Sequence, residues 1–286
     1  MVPPKRMRRG EMAVTEVRLS KAELDAAPEA ERINFVMLAQ TANEMAMLRV
    51  LIIQALNGAK GPRPKLEAGL GMAFMLARLL AGRVHEAWDL VRKESIGKQF
   101  EANLLSIPAE GRAGIKADVE AATAVVQEYF GQAQPLLSRV RKKLAFHHDR
   151  SAVAGAYELA PDNFQLIDFH TGKRGTTFYG AADSLAAFAA SHLIGSDDPI
   201  KGQHQLTQEA PWIGGEIETI IDGYIVAFCA KYLGLERFSV APTIMQVSVG
   251  TEAKTAFFLD DRPLRRRASR RAGERGGTAS DFSDTS

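Results

Sequence analysis

The chain has 286 residues, 46% of them hydrophobic, a single cysteine and a net charge of +2. That is apolar material enough for a sizeable core, and a lone Cys229 excludes an internal disulfide and fits a reducing compartment. The charge is unevenly spread: residues 1–10 carry four basic side chains, residues 262–275 seven arginines and one glutamate, and residues 11–261 sum to −6, so broad capture of nucleic acid by the body is not expected, although a cationic tail can add phosphate contacts.

In chain order, a basic, flexible N-terminal stretch is expected over residues 1–19. Ser20 and Glu23 have the spacing of a capping box. Pro28 is a good residue to open a helix, and from Ile33 to Leu56 apolar side chains recur close to a 3.6 period. Gly58 to Pro64 ends that segment. A second long helix is predicted over Lys65–Lys93, with a core face of Leu66, Leu70, Phe74, Ala77, Ala81, Val84 and Trp88. Shorter helices are expected over Lys98–Leu105 and Ile115–Phe130. Pro135 introduces a last stripe of Leu136, Leu137, Val140 and Leu144. Segments of this kind joined by short connections predict an all-α fold, an antiparallel helical bundle spanning residues 20–150.

After residue 150 the pattern changes. Phe164–Phe169 and Thr176–Tyr179, on either side of a glycine-containing turn, read as a small β-hairpin insertion. Helices over Ala182–Leu193 and Trp212–Leu233 follow, with a polar connector from Gly195 to Pro211, so residues 151–259 are expected to pack on the bundle. Residues 260–286 read as a disordered Arg-rich tail. Met37, Met45, Met47, Met72 and Met75 fall among the apolar positions and are expected to fill core gaps. Charged residues interrupt the apolar runs and no leader follows the basic start, so no membrane contact is expected and the cytoplasm is the expected location.

One stretch reads as chemistry: Arg141, Lys142, Lys143, Leu144, Ala145, Phe146, His147, His148, Asp149. A fixed guanidinium charge beside imidazoles that titrate near neutrality suits phosphodiester cleavage. Spacing alone says little, since about one Arg-to-His spacing of this kind is expected by chance in a chain of this composition. Arg78 and His85 make a second hit, but they lie in a strongly apolar helix and read as scaffold. On an unbroken helix Arg141 shares a face with His148; a break near Phe146 would let His147 swing in instead. Both histidines also suit a helix C-terminus, where imidazolium is favoured by the backbone dipole. A metal site made from His147, His148 and Asp149 with His85 or His170 is a weaker reading, because adjacent histidines rarely face one ion and neither HExxH nor paired cysteines are present. No cofactor and no metal is expected.

The run from Arg141 to Asp149 resembles the Arg-polar-x-x-x-Phe-His-x-Asp pattern of HEPN-domain proteins, particularly the abortive-infection-like bacterial members. The aromatic pair Tyr129-Phe130, the proline-containing approach and the long opening helix from Ile33 are similar too. The resemblance covers residues 30–150. It implies a helical domain that forms homodimers and acts on RNA as a metal-independent endoribonuclease in stress or phage defence, with an antitoxin or regulatory protein as a further partner. It implies that Arg141 holds the phosphate, that His147, or His148 after it, acts as general base or acid, and that Asp149 orients an imidazole. Lys142 stands where that pattern carries Asn, Asp or His. That departure leaves a second reading, a catalytically silent helical module that binds nucleotide, RNA or protein through the same cleft.

Overall fold

The structure is a computed structural model and describes residues 11–14, 17–145, 150–160, 180–196, 198–234 and 243–246. The chain is predominantly helical, as its periodicity predicts. The helices are α1 (Lys21–Leu24), α2 (Glu29–Gly58), α3 (Arg63–Val91), α4 (Glu94–Leu104), α5 (Ala109–Gly131), α6 (Leu136–Val140), a π-helical turn (Arg141–Ala145), α7 (Arg150–Leu159), α8 (Gly180–Leu193) and α9 (Pro199–Tyr232). Ser20 caps α1 in the expected box, its hydroxyl accepting from the Glu23 N–H while the Glu23 carboxylate accepts from the Ser20 N–H at 2.7 Å. Prolines 28, 62, 108 and 135 each stand just before a helix, where the fixed φ is already compatible with the first turn and no intrahelical donor is lost.

The core is organised on α9, which packs against α2, α3, α4, α5 and α8. Leu206, Ala210, Ile213, Ile217, Ile221, Tyr224 and Phe228 run along it at steps of three or four and are almost wholly withdrawn from solvent. The helix begins at Pro199 and continues through Pro211, so the polar connector expected over Gly195–Pro211 is largely helical. Polar composition misleads there because only Gly202, Leu206 and Ala210 of residues 201–210 are buried, while Gln203, Gln205, Thr207 and Gln208 lie on the more exposed side. The close junction of α8 and α9 depends on Gly202: a Cβ at that position would lie 2.3 Å from the Ser191 backbone nitrogen, and the Gly202 N–H donates to Ser191 Oγ at 2.8 Å.

Helix α3 carries the expected core residues Phe74, Ala77, Ala81, Val84 and Trp88 inside, but Leu66 and Leu70 are exposed. The small residues Ala68, Gly69 and Ala73 take the inner side instead. A Cβ at Gly69 would lie 2.7 Å from that of Ala59, so the end of α2 presses on α3 too closely for a leucine. Of the methionines, Met45 is buried, whereas Met37, Met47 and Met75 are exposed. Among the described residues one helix, α2, is long and apolar enough to cross a membrane by length and composition.

Two strands, β1 (Glu11–Val14) and β2 (Thr243–Gln246), pair antiparallel with Glu11 opposite Gln246 and Val14 opposite Thr243. The expected hairpin at 164–179, most of the basic N-terminus and the Arg-rich tail lie outside the described residues.

Packing at the α8–α9 junction leads to a direct expectation. Gly202→Ala forces the two backbones apart and lowers stability by about 2 kcal/mol, the scale of overpacking in a tight contact. Gly97→Ala, where an added methyl meets nothing within 4 Å, serves as the matched control. Urea denaturation of the two variants should show the loss in the first alone.

Candidate functional site

The site grows from the aromatic pair at the end of α5. Tyr129 is buried; its hydroxyl donates to Glu209 Oε2 of α9 at 2.6 Å and accepts from the Leu137 N–H at 3.2 Å. Burial and the Glu209 carboxylate push its ionisation far above the ordinary range, so the hydroxyl stays protonated and keeps donating. This bond fixes the first turn of α6. Arg139 anchors the other side of the same turn, its guanidinium donating to the Leu193 carbonyl at the end of α8.

With α6 held at its start, the chain widens at Arg141. Residues Arg141–Ala145 form a π-helical turn, which a single residue in excess of the α-helical repeat produces, and such turns are found disproportionately at functional sites. Leu144 is buried, Arg141 and Ala145 are half-buried, and Lys142 and Lys143 are exposed. The widening also removes the basis for placing Arg141 and His148 on one face by counting 100° per residue. His147, His148 and Asp149 lie outside the described residues.

The π turn packs against α3, and this contact assembles a cluster that the sequence does not display. His85 of α3 is largely covered, its side chain 18% exposed, with Nδ1 3.3 Å from Asp89 Oδ2 one turn on. The approach brings the charges together without hydrogen-bond alignment, since Nδ1 has no hydrogen-bond partner. Phe130 meets the imidazole edge-on at 5.6 Å between centroids and stacks on Trp88 at 6.0 Å, so the second member of the α5 aromatic pair holds the ring in place. Burial lowers the proton affinity of His85. Asp89 opposes that, and the positive charges of Arg141, Arg92 and Lys142 lower it further. Arg92 in turn pairs with Asp89 at 2.7 Å. The result is an imidazole held neutral at pH 7, one carboxylate beside it, and three cations within electrostatic reach.

Arg78 is a different kind of residue from His85, although the sequence groups them. It is 8% exposed, lies over the Phe74 ring at 5.0 Å, and directs Nη1 toward the Leu144 carbonyl at 3.5 Å. Its counter-charge comes from Asp183 of α8; burial raises the Asp183 pKa and Arg78 pulls it back. The reading of Arg78 as scaffold fits this geometry, for it braces the last carbonyls of the π turn. His85 instead belongs with Arg141 and Lys142. The signal that would have found it is the His85, Asp89, Arg92 spacing, which places a base, an acid and a cation on one helical face.

Other candidates carry less. Cys229 is buried and its thiol is pushed up to about 11 by desolvation, so it packs as a small hydrophobe. His192 is exposed on α8 and His204 faces Gln208 on the surface of α9. Among the described residues no group of three His, Cys, Asp or Glu side chains is placed to hold a metal ion. A groove of about 340 Å³ between α2 and α3 includes Asp89 and Lys93, but its Arg83 is matched by Glu44 and Glu86.

Comparison with protein-family models, with curated proteins and with solved structures finds no match to this chain.

The cluster makes His85 a reporter. Lys142→Ala or Arg141→Ala removes a charge that lowers its pKa and should move its titration upward; Asp89→Asn should move it downward. Because the folded value lies below the unfolded one, the unfolded chain binds the proton first as pH falls, so this group removes stability as pH drops through the mid-sixes toward the folded pKa. Following the His85 ring protons by NMR across pH 4–8 in each variant checks both the order and the sign.

Proposed function

We propose that this chain acts on RNA phosphodiesters as a metal-independent endoribonuclease of the HEPN type, with its helices in the antiparallel bundle of that superfamily. The observation that carries this reading is the meeting of the π turn with α3, which brings the charges of Arg141 and Lys142 to bear on a neutral, carboxylate-flanked imidazole, His85. Phosphate binds to the guanidinium and ammonium groups, and negative charge developing on its non-bridging oxygens is stabilised there.

Cleavage needs a base for the ribose 2′-hydroxyl and an acid for the departing 5′-oxygen. In this reading His85 accepts the 2′-hydroxyl proton as O2′ attacks phosphorus. The P–O5′ bond then breaks as a second imidazole, from His147 or His148, gives its proton to the leaving oxygen. The products are a 2′,3′-cyclic phosphate and a 5′-hydroxyl. DNA, which lacks the attacking hydroxyl, is spared. Phe130 keeps the His85 ring in place and Asp89 lends it negative charge, while Asp149 orients the second imidazole. The HEPN resemblance alone supplies the cellular setting, stress or phage defence with an antitoxin or regulatory partner.

A second reading is favoured by one particular residue. Lys142 adds a cation where the resembling pattern carries Asn, Asp or His, and it depresses the base it stands beside. In a silent module the same cations would bind the phosphates of RNA or a nucleotide without cleaving.

The test is incubation of the purified chain with varied single-stranded RNAs in excess EDTA. Cleavage should persist, leave cyclic phosphate ends, and fall about 100-fold or more in Arg141→Ala and in His85→Gln, with His147→Ala and His148→Ala separating the two motif histidines. Undiminished cleavage in Arg141→Ala would reject the site. Salt-dependent RNA binding without cleavage by the wild type would establish the binding module.

A further inference from the structure

A cleft of about 460 Å³ lies between α4 and α5, floored by Ile220 and Tyr224 of α9. Both walls are seated on α9 beside Gly223, where an added Cβ would come within 2.3 Å of Val119 Cγ2 and 3.7 Å of Phe100 Cε2. Toward solvent the walls carry the small residues Gly97 and Ala124, both exposed, and a Cβ at Gly97 meets nothing within 4 Å. The interior is hydrocarbon and aromatic ring: Ile96, Phe100, Val119 and Tyr224 are each 8% exposed or less. The Tyr224 hydroxyl is engaged, donating to Gln99 Oε1 at 2.9 Å, which leaves its ring as lining.

We infer that this cleft binds a small hydrophobic amine, an aromatic or branched hydrocarbon body with one cationic head. Its volume falls in the range of clefts that enclose small molecules, which combine an apolar lining with a few placed polar groups. The body displaces water from the apolar lining, which is the driving force for entry. No residue of the nuclease site takes part, so the inference stands apart from that reading.

The cationic head follows from unmatched charge at the mouth. Glu101 of α4 and Glu120 of α5 line the cleft from opposite walls, their side chains 56% and 65% exposed. Lys116 Nζ donates to Glu101 Oε2 at 3.3 Å but stops 3.7 Å from Glu120, beyond hydrogen-bond reach. Lys98, beside Gly97 in the chain, is taken by Glu94 at 2.5 Å. Among the described residues the two carboxylates therefore share one ammonium, and a unit of negative charge is left over. A ligand ammonium entering there finds charged acceptors on both walls, whereas an anion of the same shape meets the surplus negative charge. Exposed ion pairs contribute little, so Lys116 gives up Glu101 at small cost.

The test titrates the full chain with phenylbutylamine, phenylbutanol and phenylbutyrate by calorimetry, at low ionic strength because salt screens exposed charges. Phenylbutylamine should bind tightest and phenylbutyrate weakest, about tenfold apart or more. Glu101→Gln/Glu120→Gln should erase that ranking and leave the affinity for phenylbutanol unchanged. Gly97→Leu/Ala124→Leu should abolish binding of all three, with the helices intact by circular dichroism because both positions are exposed. Butylamine, which has the head without the ring, should bind about tenfold more weakly than phenylbutylamine or worse. No binding of phenylbutylamine to the wild type, equal affinity for amine and carboxylate, or amine binding that survives the two leucines overturns the proposal. Butylamine binding as tightly as phenylbutylamine also overturns it and assigns the effect to ion pairing at the surface.

Discussion

The constraint on which the structure depends is the withdrawal of α9 from water. Its residues Leu206, Ala210, Ile213, Ile217, Ile221 and Phe228 are at or near zero exposure, and among the described residues α2, α3, α4, α5, α6 and α8 all contact it. A proline inside a helix costs about 3 kcal/mol, and Pro211 is tolerated because fully buried Ala210 and Ile213 flank it on this column. Polar groups on the same helix tie down its neighbours: Glu209 holds Tyr129, Glu218 holds Arg49, Tyr224 donates to Gln99, and Lys231 reaches Asn103. Through Glu209 and Tyr129 the order of α9 passes to α6, and from there to the π turn that presents Arg141.

The helices were legible wherever a single apolar stripe faced a single neighbour. Glu29–Gly58, Arg63–Val91, Glu94–Leu104 and Ala109–Gly131 all fall within a few residues of the ranges that periodicity suggests, except that α4 and α5 begin earlier. Sequence reading failed where packing, not hydropathy, decides orientation. At Leu66 and Leu70 the governing fact is the closeness of Ala59 to Gly69, a distance that no periodicity encodes. On α2 both faces are apolar, so the stripe could not say which side meets the core. The pairing of Glu11–Val14 with Thr243–Gln246 joins segments more than two hundred residues apart, and neither segment alternates strongly enough to announce a strand.

Half of the candidate cluster around His85 was legible in the sequence. Arg141 and Lys142 could be chosen from local sequence because charge interrupts an apolar stripe just where the helix is due to end. His85 could not, because its significance comes from an approach across more than fifty residues. Grouping Arg78 with His85 by spacing concealed that seven residues along α3 separate two environments. At Arg78 the surroundings are Phe74, Leu144 and Asp183, and a charge is held for structural reasons. At His85 the surroundings are Asp89, Arg92, Phe130 and the start of the π turn.

Under the proposed nuclease reading, the electrostatics of this cluster favour a base that strengthens when RNA binds. Within the chain, desolvation and three cations act in the same direction and Asp89 alone opposes them, so the proton affinity of the ring is lowered. On that reading, a phosphodiester held by Arg141 and Lys142 would bring a negative charge that offsets those cations. The same desolvation that weakened the imidazolium then strengthens its attraction to the phosphate, because fewer waters screen the pair. On that reading the proton affinity of His85 would rise when phosphate binds, and the effect of Lys142 on the imidazole would be offset by the anion it holds.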